Sequence, residues 1–283
     1  MIEADRYLLA GMDALERAAV LLTARFRARD LRVEAKADGT PVTDADKDIE
    51  AAVREELRRA TPELGILGEE EGAEGDSRDR WILDPIDGTM SFLAGDPRFA
   101  FLLALELDGA LELALIYSPM IGTLAPQGRV CSPGVTWLAR RGRGSFSFPG
   151  MELPAENGLR KLRVEPVRSL SEAVLTMGSL RHLVRQGLWV SMGDLAGCVA
   201  ATRGDGDWFG HVLVAEGKCH LMVDPRVALY DVAAVRLLVE EAGGVFLAGD
   251  PAALDPTGFG PVLSGVPGVA EAAARRLDFL LPL

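Results

Sequence analysis

The chain has 283 residues, 48% of them hydrophobic, enough to bury a substantial core in one large domain or two packed halves. Its 30 basic and 42 acidic residues give a formal net charge of -12, which repels nucleic-acid backbones and requires that a small anionic substrate be bound through cations. Three widely spaced cysteines, Cys131, Cys198 and Cys219, fit neither a disulfide framework nor a cysteine-rich zinc site. The opening stretch MIEADRYLLAGMDALERAAVLL is acidic and interrupted by charges, unlike a signal peptide, and no later segment offers about 18 uninterrupted apolar residues. The expectation is a soluble, cytoplasmic protein with neither nucleic-acid nor membrane partners.

In chain order, Leu8, Leu9, Met12, Leu15, Ala19 and Leu22 recur at helical spacing and predict an amphipathic first helix. A second helix is expected after Thr43, with Thr43 as cap, Asp46 closing a capping box, and Ile49, Val53 and Leu57 on the buried face. GILGEEEG and WILD read as short buried strands that deliver acids at their C-terminal ends. FAFLLALEL, ALELALIYSP and GTLA, punctuated by Asp-Gly and Pro, predict antiparallel strands that TWLARRGRGSF extends.

The Pro/Gly/Glu-rich loop FPGMELPAENG marks a boundary between an N-terminal α+β half, 1–150, and a C-terminal α/β half, 151–283. In the second half the strands expected are KLRVEPV, AVLTMG, KCHLMVD, GGVFLA and PVLSG, with helices over 208–216, 231–242 and 268–280.

The stretch WILDPIDGT concentrates the chemistry. Carboxylates at buried strand ends cost desolvation energy unless a positive charge meets them, and several together raise one another's pKa. Mg²⁺, a hard cation that takes oxygen ligands, is the usual remedy. Asp84 and Asp87 flank a bend at Pro85 that exposes the carbonyl of Ile86, Glu69 ends the preceding strand, and Gly88 and Thr89 open a turn whose free amides suit phosphate oxygens. Each piece also has a plainer reading: Asp-Pro and Asp-Gly are ordinary turn dipeptides, GEEEG a solvated loop, Asp46 a capping residue, and Asp231 a helix N-cap.

Taken together, Lys36 with PVTDAD, LGEEEG, WILDPIDGT, ALIYSPM, ARRGRGSF and DPRVALYDVAAVRLLVEEAGG resemble the inositol monophosphatase superfamily of metal-dependent phosphatases, over nearly the whole chain. The resemblance implies a layered αβαβα sandwich, an α/β fold of the inositol monophosphatase and fructose-1,6-bisphosphatase type, and a homodimer. It further implies that Glu69, Asp84, the Ile86 carbonyl, Asp87 and Asp231 are ligands for two or three Mg²⁺. Glu69 and Thr89 would activate a water, Asp46 support Thr89, the amides of Gly88 and Thr89 hold phosphate, and Lys36 temper the acidity of the cluster. Met90-Ser91 and Tyr230 depart from the family pattern without touching a proposed ligand.

The substrate implied is a small phosphorylated metabolite. RGDGDWFGHVLVAEG resembles the bacterial histidinol-phosphatase branch, with Asp207 as the acid that suits a cationic leaving group and Asp224 facing the leaving alcohol. Arg203 is read as holding Asp207 or the loop, and capping of a helix is an equal reading of Asp207. His211 departs from that branch, and His182, His211 and His220 read as structural.

Inositol 1-phosphate or a broader set of sugar and polyol phosphates is the alternative, and a metal- or phosphate-binding module without turnover the non-enzymatic one. A haloacid-dehalogenase nucleophile is disfavoured because the spacing is Asp-x-x-Asp, and an EF-hand because Thr89 and Gly95 stand where glycine and glutamate are needed.

Overall fold

The computed structural model describes residues 5–36, 40–75, 78–122, 134–248, 260–277 and 281–282. They divide into two compact units, Met1–Arg160 and Lys161–Leu283, the division falling at the far end of the Pro/Gly/Glu-rich loop. No described helix is long and apolar enough to cross a membrane.

In the first unit Asp5 caps α1 (Arg6–Arg25) by accepting from the amides of Tyr7 (3.1 Å) and Leu8 (2.9 Å). Leu8, Leu15 and Leu22 form its fully buried stripe, each contributing roughly 1.5–3 kcal/mol. Leu9, expected on that stripe, is 54% exposed, because one residue along a helix is about 100° around it. The ribbon β1 (Val33–Ala35) and β2 (Pro41–Thr43) leads into α2 (Asp44–Ala60). Ile49, Val53 and Leu57 of α2 join α1 in one core cluster with Trp81, Leu103 and Leu115 of the sheet.

That sheet is built from β3 (Gly65–Gly68), β4 (Gly72–Glu74), β5 (Arg80–Asp87), β6 (Ala100–Leu107), β7 (Ala110–Ser118), β8 (Val135–Arg140), β9 (Gly144–Pro149) and β10 (Arg160–Lys161), in the order β10-β9-β8-β7-β6-β5-β3-β4. The short α3 (Thr89–Ala94) interrupts the path from β5 to β6. Asp108 and Gly109 both take positive φ, 51° and 76°, between β6 and β7, the tight hairpin that Asp-Gly predicts. Of the expected strand GTLA, residues 123–125 lie outside the described residues, as does Cys131.

The second unit runs β11 (Val174–Met177), α4 (Leu180–Arg185), α5 (Trp189–Ala196), β12 (Ala201–Arg203), α6 (Asp207–Ala215), β13 (Leu221–Val227), α7 (Leu229–Glu241), β14 (Val245–Ala248), β15 (Gly260–Gly265), α8 (Val269–Leu277) and β16 (Leu281–Pro282). Its strand order is β12-β11-β13-β15-β14-β16. Leu221 and Val223 point into a cluster with Ala270, Ala273 and Leu277 of α8, whereas Met222 lies against Gly210 of α6, so helices cover both faces of this sheet. KLRVEPV is not a strand of this unit: only Arg160–Lys161 pairs, in the first sheet, and Pro166 lacks the amide a ladder needs. Helices α4 and α5 were not expected from the sequence.

Two of the three histidines have defined structural partners. His220 accepts from the Val174 amide at Nδ1 (2.8 Å), and His211 Nδ1 lies 2.8 Å from Ser264 Oγ. His211 is buried, and desolvation pushes its pKa down to about 3. Its neutral form is therefore part of the fold. The unfolded chain takes up a proton there below about pH 6.5 and the folded chain does not, so stability is full above that value and falls as the pH drops towards 3. Going from pH 7 to pH 5 should cost roughly 2 kcal/mol through this residue. His211→Asn, which keeps a nitrogen for Ser264, should show a correspondingly smaller acid loss in chemical denaturation; an unchanged loss would remove His211 as its cause.

Candidate active site

Three local devices in the first unit place the acids. The capping box at the start of α2 uses one oxygen of Asp46: Oδ2 accepts from the Thr43 amide (2.8 Å) and hydroxyl (2.6 Å), while Thr43 Oγ1 accepts from Ala45 (3.1 Å) and Asp46 (3.3 Å). The other oxygen, Oδ1, lies 3.3 Å from Thr89 Oγ1, which is also 3.0 Å from the Ile86 carbonyl. The cap and the approach to Thr89 are thus both present on one carboxylate. Burial raises the Asp46 pKa, and its bonds to Thr43 oppose that.

The second device is a bulge at Asp84-Pro85-Ile86-Asp87. Asp84 opposes Leu102 and Asp87 opposes Ala100, so β5 carries one residue more than β6 between those pairs. Leu102 and Ala100 share a face, and Asp84 and Asp87 therefore do too, although regular alternation would separate them. Pro85 has no amide to leave unpaired at the bend. Asp84, 2% exposed, accepts at Oδ1 from the Ile86 amide (2.9 Å). Gly88 follows with φ of 87°, and a Cβ there would meet the Arg98 carbonyl at 2.7 Å, so the turn into Thr89 requires glycine.

The third is the turn after β3. Lys36 Nζ stands 2.7 Å from both Glu69 Oε1 and Glu70 Oε1. Burial works to lower the Lys36 pKa, but Glu69 and Glu70 outweigh it and the net shift is upward. Glu70 is pushed up to about 7, first by burial and then by Glu69 and Asp46, against Lys36. Sequence reasoning singled out Glu69 and missed Glu70; the signal was present in the run of three glutamates, which alternation could not sort.

The donors here are all oxygen, the carboxylates of Glu69, Glu70, Asp84 and Asp87 with the Ile86 carbonyl, and the chemistry of that set fits a hard divalent cation. The Lys36 ammonium takes the counter-cation's part between Glu69 and Glu70. Among the described residues no three acids stand gathered as a ready cage.

In the second unit the plainer reading of Asp231, as a helix N-cap, does not hold. Asp231 is the third residue of α7, whose cap is Ala228, and its Oδ2 accepts from the Ala228 amide (2.7 Å). Asp207 is likewise not a cap: Gly206 holds that position, and Asp207 takes a left-handed φ of 53°. A non-glycine residue held there stores strain of the kind found at functional sites. Its amide donates to Asp224, which also lies 3.4 Å from the Arg226 amide. Asp224 is 5% exposed, and burial first, then the Asp207 charge, pushes its pKa up to about 7. Arg203 is exposed on β12.

Because the folded pKa of Asp224 exceeds the ordinary 3.8, its stabilising contribution is present at low pH and is lost as the pH rises through 7. Asp224→Asn, which keeps an acceptor for both amides, should therefore raise the unfolding midpoint above pH 7 by roughly 2–4 °C, an advantage that shrinks towards pH 4. A variant no more stable than the parent at pH 8.5 would contradict a buried, strained charge.

The inositol monophosphatase family model matches residues 3–280. A histidinol-phosphatase of Mycobacterium tuberculosis is 38% identical over 238 residues, 84% of this chain and 85% of that protein. An inositol-1-monophosphatase of Rhizobium meliloti is 36% identical over 222 residues, 76% of this chain and 75% of the relative. Among solved structures, an inositol monophosphatase from Zymomonas mobilis superposes with a TM-score of 0.77 at 27% identity, covering 98% of this chain and 100% of that one. Match in sequence along almost all its length, and in fold over nearly every residue, shows that the chain belongs to the inositol monophosphatase family and is a phosphatase.

Proposed function

We propose that this phosphatase is Mg²⁺-dependent and that its substrate is histidinol phosphate. The observation that carries the substrate reading is the Asp224–Asp207 pair, a buried carboxylate raised by burial and by the neighbouring acid. Two carboxylates so placed favour a cation beside them, and histidinol carries an ammonium where inositol carries no charge. The similarity to the M. tuberculosis histidinol-phosphatase supports the same choice.

Mg²⁺, when bound, supplies Lewis-acid polarisation of the phosphate and lowers the pKa of a water. Glu69, Asp84, the Ile86 carbonyl and Asp87 would hold it in the first unit, and the family resemblance gives Asp231 of the second unit a ligand's role. Glu69 and Thr89 orient the attacking water and Glu69 accepts the proton it gives up, with Asp46 Oδ1 accepting from the Thr89 hydroxyl. Lys36 keeps the two glutamates from repelling each other. The amides of Gly88 and Thr89 hold phosphate oxygens as charge grows on them. Water oxygen bonds to phosphorus as the ester P–O bond breaks, and the alcohol leaves with a proton; no phosphoenzyme forms.

Phosphate release should vanish on chelation and return with Mg²⁺, and folded Asp87→Asn should lose activity by orders of magnitude. Near-normal turnover of that variant would take Asp87 out of the site. Glu69→Gln and Thr89→Ala should lower single-turnover rate more than affinity.

Asp207→Ser tests selectivity. It should cost histidinol phosphate roughly 1.5–3 kcal/mol in kcat/KM and spare inositol 1-phosphate. Equal losses on the two esters would exclude histidinol recognition by Asp207 and favour a broader polyol phosphatase.

A further inference from the structure

A stripe of polar side chains runs along α2 at intervals of four: Asp46, Glu50, Arg54 and Arg58. Such a spacing puts all four on one side of the helix. Asp46 reaches Thr89, and Arg58 donates to Glu74 of β4 at 2.6 and 2.7 Å. Between them Glu50 and Arg54 are 0% and 1% exposed.

Glu50 is the centre of this arrangement. Its Oε2 accepts from the Glu70 amide (2.9 Å), and its Oε1 accepts from the Glu71 amide (3.0 Å) and from Arg54 Nε (2.9 Å) and Nη2 (2.8 Å). Arg54 in turn donates to the Gly72 carbonyl (2.6 Å) and to Glu74 (3.1 Å). The carboxylate approaches the chain so closely that a Cβ at Gly68 would fall 2.1 Å from Glu50 Oε1. The residues it grips are those of the turn between β3 and β4, which begins at Glu69.

We infer that Glu50 is a positioning residue for the reaction: it holds the Glu69–Glu71 turn by its backbone, leaving the Glu69 side chain to face the reacting groups. The inference rests on the phosphatase reading of Glu69. Glutamine cannot fully replace Glu50, because the two amides and the guanidinium are shared between both carboxylate oxygens and an amide offers one acceptor and no charge. A buried Arg54 without its partner would be costly in itself.

Glu50→Gln alone risks misfolding for that reason, so the test uses Glu50→Gln/Arg54→Met, which removes the orphan charge, and separately Gly68→Ala, which pushes the carboxylate away. In the folded variants, hydrogen exchange at the Glu70 and Glu71 amides should quicken at least tenfold while β5 amides keep their protection. kcat should fall by roughly 10–100-fold and half-activation by Mg²⁺ should need about tenfold more metal, with KM changed by less than about threefold.

The decisive arm is a cycle with Glu69→Gln. If Glu50 acts through Glu69, Glu69→Gln should cost much less in the Glu50→Gln/Arg54→Met background than in the parent. Losses that multiply independently, or exchange at Glu70 and Glu71 that stays slow, would overturn the inference. If the parent releases no phosphate from any ester with Mg²⁺, the phosphatase reading of Glu69 fails and the positioning role with it. In that case the exchange rates still report whether Glu50 holds the turn.

Discussion

A carboxylate taken out of water must be met by donors or cations, and this chain withdraws Asp46, Glu50, Asp84 and Asp224 to 5% exposure or less. The answer differs at each. Asp46 is met by Thr43 and Thr89, Asp84 by the Ile86 amide, and Glu50 by Arg54 with two amides. Asp224 has two backbone amides and an acid for a neighbour, and burial first and then that acid push its pKa up to about 7 against the amides. The local folds of β3, β5 and α2 follow from satisfying these groups.

The balance explains how one helix serves two ends. The apolar face of α2 anchors the first unit's core through Ile49, Val53 and Leu57, while its polar stripe meets the loops that carry the acids. Rigid burial on one side makes the other side a reliable ruler. A helix held only by loops would let those acids wander, and geometry at this level is worth orders of magnitude in rate.

Much of this was legible in the sequence where the cause is local. Thr43-Asp44-Ala45-Asp46 announces its capping box, Asp108-Gly109 its hairpin, and Asp84-Pro85-Ile86-Asp87 a strand end loaded with acid. What escaped depends on contacts between residues far apart in the chain. Glu50 reads as one more charge on a charged helix until the Glu70 and Glu71 amides arrive beside it. The cap readings offered beside the functional ones for Asp207 and Asp231 fail because Gly206 and Ala228 hold the cap positions. Helices α4 and α5 escaped because Leu180, Val184, Trp189 and Val190 are exposed apolar residues that blur any periodic stripe.

The bulge of β5 has a counterpart in β13. There Asp224 opposes Val262 and Val227 opposes Gly260, again with one residue extra after an Asp-Pro pair. Each bulge acts as a phase shift in the two-residue rhythm of its strand, so that inside and outside exchange places downstream of the proline. Straightening either strand without shortening it would turn every later side chain of the strand to the opposite face. An alternation pattern read through either strand must therefore be restarted at its Asp-Pro pair.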